Sequence, residues 1–362
     1  MHREISFLEI CKIKLLAFIF LLANCVQAQY APKYSNEFLN IGVGARALGM
    51  AGTSTALVDD VTAGYWNPAG LLNIKPKYQV ALMHAEYFAG IAQYDYAGFA
   101  TPVDSNSHIG LTIIRFGVDD IPDTRFIYDA NGALNYNNVQ FFSAADYAFQ
   151  VSYAKRLPKV KNLQLGGNFK VIYRQAGDFA TAWGFGLDAG AMIKLGKWQI
   201  GAMARDVTGT FTAWSHNLAL IYAIYAQTNN PIPQNSVEIT VPKFNIGLSR
   251  YFLIKEKFGL LPALELQTTF DGKRNTLVAT NVVSLSPALG IEMDYKKLVF
   301  LRAGIGNFQK IKNFDGSTYN SIQSNFGIGF RIKRFAIDYA LTDVVSSDAG
   351  LYSHIFSVKA DF

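Results

Sequence analysis

The side chains able to do chemistry are few and poorly placed for it. Five histidines, His2, His84, His108, His216 and His354, are scattered along 362 residues, and none has a spacing suited to a metal site. His84 and Glu86 share one face of a candidate strand, an arrangement expected to give a polar contact in a lumen and not an acid–base pair. The glycine-rich run from Gly42 to Gly52 lacks the following Lys-Ser/Thr pair and the parallel βαβ setting of a phosphate loop. The expectation is therefore a non-enzymatic chain with no catalytic residues, no metal and no cofactor. Lys170, Arg174, Arg205, Glu265, Glu292 and Asp294 are expected to point into a shared interior and pair with one another, because isolated buried ions are costly.

Composition points to the kind of scaffold that would hold such an interior. Hydrophobic residues make up 50% of the chain, aromatics 14% and charged residues only 17%, with 27 Phe, 19 Tyr and 30 Gly. Aromatic side chains of this kind suit the two interfacial girdles of a membrane barrel, and glycine suits its tight strands and turns. The net charge of +6 is modest, and its lysines and arginines are dispersed singly, which argues against nucleic-acid binding.

The first residues predict export. Arg3, Lys12 and Lys14 precede an apolar run from Leu15 to Ala23, and Val26-Gln27-Ala28 has the small-residue pattern of a cleavage site, so residues 1–28 are expected to be a signal peptide. The run is about nine residues, short of the roughly 20 needed for a helical span. Both cysteines, Cys11 and Cys25, fall in this leader. Lipidation at Cys25 is the competing reading, but Asn24 stands where a small residue is expected.

From Tyr78 onward, hydrophobicity alternates with period two, as in Leu163, Leu165, Phe169, Val171 and Tyr173 against Gln164, Asn168, Lys170 and Arg174. A soluble sandwich alternates too; the connections decide. About fourteen candidate strands of 10 to 14 residues fit tilted bilayer crossings. Their links alternate short and long: 102–106, 157–162, 196–197, 254–257, 295–297 and 332–334 on one side, 118–140, 208–236, 271–285 and 308–321 on the other. That parity is the asymmetry of an outer-membrane barrel. The fold expected is all-β, a transmembrane antiparallel barrel over residues 78–362, closed by a strand whose terminal Phe362 serves as the barrel-assembly signal.

Residues 29–77 break the alternation and are expected to form a plug or hatch, since small residues let backbones approach closely. Three pieces stand out: Ala45-Arg46-Ala47-Leu48-Gly49-Met50-Ala51-Gly52, the acidic pair Asp59-Asp60, and Trp66-Asn67-Pro68-Ala69-Gly70-Leu71. Together they resemble the N-terminal motif of the PorV/PorQ family, itself similar to the FadL family of outer-membrane barrels. The match covers about 35 residues; the rest agrees in layout only. The resemblance implies fourteen strands, a plugged lumen and a role in type IX secretion. There the barrel would act as a shuttle or adaptor between translocon or attachment-complex proteins and cargo carrying a C-terminal sorting domain. The alternative is a FadL-type channel for fatty acids or other hydrophobic compounds; a hydrophobic lumen pocket beside the plug would favour it, and the inner faces read as polar. Outer-membrane lipid is the surrounding partner in either case. The apolar stretch from Thr208 to Ser236, with Phe211, Trp214, Leu218, Tyr222 and Tyr225, is expected to be an outer loop that docks a partner or packs on the barrel rim.

Overall fold

In the computed structural model the described residues are 35–362, apart from 89, 130, 159, 161, 228–230, 313–314 and 344–351; the expected signal peptide lies outside them. The chain forms one closed antiparallel sheet whose hydrogen-bonded segments merge into fourteen barrel strands. In chain order these are β1 (Gln79–Tyr87), β2 (Ala92–Asp104), β3 (Ser107–Asp123), β4 (Gln140–Arg156), β5 (Leu163–Ala176) and β6 (Ala180–Leu195). β7 joins Trp198–Arg205 to Thr210–His216, and β8 joins Ser236–Thr240, Lys243–Arg250 and Phe252–Ile254. β9 (Phe258–Thr269), β10 (Ser284–Tyr295), β11 (Val299–Lys312), β12 (Thr318–Ile332), β13 (Phe335–Thr342) and β14 (Ser353–Asp361) complete the wall. β14 closes on β1, from Gln79↔Asp361 to Glu86↔His354. Among the described residues no helix is long and apolar enough to cross a membrane.

The outside of this wall explains why it is a membrane barrel and not a sandwich. Leu111, Ile113, Phe149, Val151, Phe169, Phe185, Ile246, Leu264, Leu301 and Ile337 are exposed at alternate positions, an apolar band that water would not tolerate but hydrocarbon does. The short-turn end is built from tight hairpins: Lys255 and Glu256, then Lys296 and Lys297, all have positive φ, the paired left-handed conformation whose twist matches the flanking strands. Phe362 sits at this end, exchanging backbone hydrogen bonds with Tyr78 of 3.1 and 2.8 Å.

Two expectations are corrected here. His84 and Glu86 point outward and are exposed, because the inner face of β1 consists of Ala81, Met83 and Ala85. Beyond Gln79 that face packs on an apolar N-terminal cluster; His84 pairs on the outside with Asp95 at 2.7 Å. The stretch from Thr208 to Ser236 is loop only in part: β7 runs on to His216, and a helix, Leu218–Gln227, follows. Its uniformly apolar sequence carries no amphipathic period to betray it. The five aromatic and aliphatic residues singled out there are divided among faces. Phe211 points outward and Trp214 inward under the Arg174 guanidinium, Leu218 and Tyr222 are exposed on the helix, and Tyr225 is half-buried.

Candidate functional site

The interior is organised around residues 35–77, which fold inside the barrel as short turns: Glu37–Asn40, α1 (Ala45–Leu48), α2 (Ala63–Trp66) and Pro68–Asn73. Gly52 has φ +76°, a conformation that closes the turn after α1 and that side-chain-bearing residues adopt only under strain. Phe38, Val43, Leu48, Val61, Tyr65, Trp66 and Leu71 form one buried cluster with Met83, Tyr94, Ile114 and Ile172 of the wall. Burying each such side chain contributes roughly 1.5–3 kcal/mol.

Opposite this cluster the wall is made of glycine. Gly166 and Gly190 face each other in register, as do Gly201 and Gly247, and Gly290 and Gly304. The N-terminal backbone lies directly on them. A Cβ at Gly247 would sit 2.8 Å from Ala56 N, and one at Gly166, Gly201, Gly290 or Gly304 would overlap the segment's backbone at 2.1 to 2.7 Å, while at Gly190 it would meet the Asn67 side chain at 2.2 Å. Sequence reasoning assigned glycine to tight strands and turns in general and so missed this belt. The available signal was its recurrence at inward positions of paired strands.

The residues of the N-terminal motif serve this seating. Trp66 Nε1 donates to Val43 O at 2.9 Å. Asn67 Nδ2 donates to Thr55 O at 2.9 Å and to Ala191 O on β6 at 3.1 Å, while its Oδ1 accepts from Ala69 N; Pro68 follows as the first residue of the turn it caps. Gly49 rests on Gly327, Ala69 against Gly166, and Gly70 against Val58. Arg46 reaches Glu292 on β10 at 2.9 Å and Asp59 at 2.6 Å. Asp60 is buried and paired with Lys359 of β14 at 2.8 Å.

Burial acts to raise the Asp60 carboxyl, but Lys359 and then Arg46 outweigh it and hold the group below the usual carboxylate range. Its contribution to stability is therefore complete above the pKa of an exposed aspartate, about 4, and is lost only as pH falls through the depressed value. The tie between β14 and the N-terminal segment is expected to be as strong at pH 5 as at pH 7. Hydrogen exchange of residues 58–63 measured at both, corrected for intrinsic rates, checks this; faster opening at pH 5 would contradict it.

The six interior charges are partnered, though not with one another as expected. Lys170 bridges Asp188 and Asp206 at 2.7 and 2.6 Å. Arg174 pairs with Asp146, and Glu292 with Arg46 and Arg302. Arg205 donates to backbone carbonyls of Leu39 and Tyr65, Glu265 accepts from Thr55 and Asn245, and Asp294 accepts from Tyr251. The reason is that the N-terminal segment and neighbouring strands supply closer partners than the distant charges do.

The segment has a cavity on each side of it. One of about 500 Å³ lies at the short-turn end. The other, of about 830 Å³, lies at the long-loop end and has two unlike walls: Phe38, Ile41, Leu48, Trp66, Tyr87 and Phe116 on one side, Asn245, Gln267, Thr269, Ser286, Gln323 and Asn325 on the other.

Beside the larger cavity the barrel wall parts. β10 and β11 pair only from Tyr295↔Val299 to Leu289↔Ile305. Beyond that, Ser284–Ala288 stays with β9 while Gly306–Lys312 stays with β12, after a bulge between Gly306 and Gln309. Pro287 has no N–H to offer a ladder, and proline is confined to such edges; Asn307 has φ +49°. Ser286, Pro287, Ala288, Gly306, Asn307 and Gln309 all line the cavity, so the gap opens onto it. The loop after β9 spans its far end: Val278 and Ala279 pair with Leu285 and Ser284, and the Asn275 side chain imitates a ladder step, donating to Lys310 O at 2.8 Å and accepting from Lys310 N at 3.0 Å. Arg274 ties the same loop to Glu37 at 2.9 Å. Removing the Asn275 contacts (Asn275→Ala) is expected to weaken the clasp by about 1–2 kcal/mol. Hydrogen exchange at Lys310 should rise roughly tenfold with no change in global unfolding; unchanged exchange would show that the loop is held elsewhere.

No protein-family model and no curated protein matches the chain. Solved structures do. The Ralstonia pickettii toluene transporter TbuX superposes with a TM-score of 0.53 at 14% identity, covering 89% of this chain and 98% of that one. The CymD monoaromatic hydrocarbon channel gives 0.56 at 12%, covering 89% and 98%, and a Pseudomonas aeruginosa FadL homologue 0.52 at 12%, covering 88% and 98%. At these identities the likeness establishes the fold: a fourteen-stranded barrel of the kind those outer-membrane proteins have.

Proposed function

We propose that the protein is an outer-membrane channel that passes small hydrophobic compounds between the outer cavity and the membrane. The observation that carries this reading is the 830 Å³ cavity, which has an aromatic wall beside the N-terminal segment and a lateral gap where β10 and β11 part. A solute leaving through that gap enters the apolar layer around the barrel without crossing the ion network below. The hydrophobic lumen surface that was to separate the two readings is present, and the toluene and monoaromatic-hydrocarbon transport named for the similar structures agrees with it.

The secretion adaptor implied by the motif's resemblance is the weaker reading. Arg46, Gly49, Gly52, Asp59, Asp60 and residues 66–70 are engaged in seating the segment or tying it to the wall, which leaves them little to offer a translocon protein or a sorting domain. A Gly306→Trp variant tests the channel. A Cβ there already lies 3.3 Å from Ala288, and an indole would fill the gap. Gram-negative cells producing the native barrel should take up labelled toluene several-fold faster than cells without it, and the variant should return them to the background. Uptake by the variant equal to the native protein's would reject the lateral route; recovery of sorting-domain proteins with the native barrel would favour the adaptor.

A further inference from the structure

Resting on the channel reading, we propose that the outer cavity is a binding site for ring compounds bearing a hydroxyl group, in preference to bare hydrocarbons. Asn245 on β8 and Thr269 on β9 are diagonal neighbours across one strand pair, both line the cavity, and each is only 5% exposed. Asn245 Oδ1 and Thr269 Oγ1 nevertheless have no hydrogen-bond partner. Buried polar atoms are almost always paired, so two orphans together on one cavity wall mark a place where a ligand's polar group belongs.

The chemistry of that group can be read from what holds the orphans. Asn245 Nδ2 donates to Glu265 Oε1 at 3.0 Å, and Glu265 also accepts from the Thr55 backbone at 3.0 Å and from its hydroxyl at 2.6 Å. The carboxylate thereby fixes the amide with its oxygen as the free end. That oxygen only accepts, so it calls for a donor; the threonine hydroxyl can either give or take a proton. A phenolic or alcoholic O–H satisfies both. The neighbouring charges are already engaged, Glu265 as described, Lys243 with Asn40 and Glu37, and Arg274 with Glu37 and Asp271, which favours a neutral group over an ion. Across the cavity, Phe38, Trp66, Tyr87 and Phe116 offer the apolar wall on which the ring rests.

Calorimetric titration of the full barrel in detergent with p-cresol and with toluene tests this. The two probes differ by one hydroxyl. The native barrel should bind p-cresol about tenfold more tightly than toluene, the worth of one net hydrogen bond. Thr269→Val removes a hydroxyl that has no internal partner and should erase most of the difference without touching toluene affinity. Asn245→Leu should do the same, with folding of both variants confirmed by the mobility shift of the unheated barrel on a gel. Equal affinities for the two probes in the native barrel would overturn the proposal while leaving the channel intact, as would a p-cresol preference that survives in Thr269→Val. Binding of neither probe would overturn both.

Discussion

Deleting residues 35–74 is expected to convert a barrel that conducts almost no ions into an open pore. The argument is one of volume. An eight-stranded barrel is filled by its own side chains, whereas sixteen strands leave a water-filled channel, and a fourteen-stranded wall lies near the open end of that range. Here the wall has gone further by placing glycine where filling side chains would be, at Gly166, Gly190, Gly201, Gly247, Gly290 and Gly304. Nothing in the wall replaces the segment once it is gone. Planar-bilayer recordings should show steps at least tenfold above any seen with the intact protein. An unchanged trace from a folded deletion variant would mean that the loops at the long-loop end, not the segment, block the lumen.

Replacing Lys170 with methionine is expected to produce the largest loss of stability from one side chain. Its ammonium lies between Asp188 and Asp206, all three are nearly sealed from solvent, and Thr210 joins them through Asp206. The cluster sits where β7 kinks inward between Arg205 and Thr210, five positions of β7 answering to three of β8. Two carboxylates stripped of their cation would face each other in a site water does not reach. Losing one partner of a buried pair typically costs about 3–5 kcal/mol, and here two anions are left. The urea midpoint of Lys170→Met should fall accordingly, and the additional change Asp188→Leu should recover part of it. A midpoint equal to the native one would show that the cluster opens to solvent.

Much of the scaffold was legible because barrel strands carry two independent signals, alternation and loop parity. Thus the expected links 157–162 and 196–197 fall between strands ending at Arg156 and Leu195 and strands beginning at Leu163 and Trp198. Where either signal fails, so does the reading. β7 seemed to end near Val207, because the kink at Asp206–Gly209 interrupts the period before Thr210 resumes it. β1 alternates correctly but in the opposite sense, since its lumen side meets an apolar segment and the usual polar-inside rule inverts. The N-terminal motif was visible as a motif; what it does, anchoring to β6 through Asn67 and bridging to β10 through Arg46, depends on partners 124 and 246 positions away. The cavity residues Asn245 and Thr269 gave no sequence signal at all. An asparagine on an inward strand position is ordinary, and only the lack of a partner makes it informative.

The glycine belt also constrains the order of assembly. The segment leaves the ribosome before any strand of the wall, yet its seat spans β5 to β12 and does not exist until those strands have paired. Threading it into a finished cylinder would demand that apolar Trp66, Leu71 and Tyr65 pass a rim of charged groups. The simpler course is enclosure: the sheet curls around the segment while β1 and β14 are still apart, and their pairing from Gln79↔Asp361 to Glu86↔His354 is the last event. Contacts of such long sequence separation form slowly. A chain with a bulky residue in the belt would then fail as an unclosed sheet during insertion, and not as a finished barrel with a loose interior.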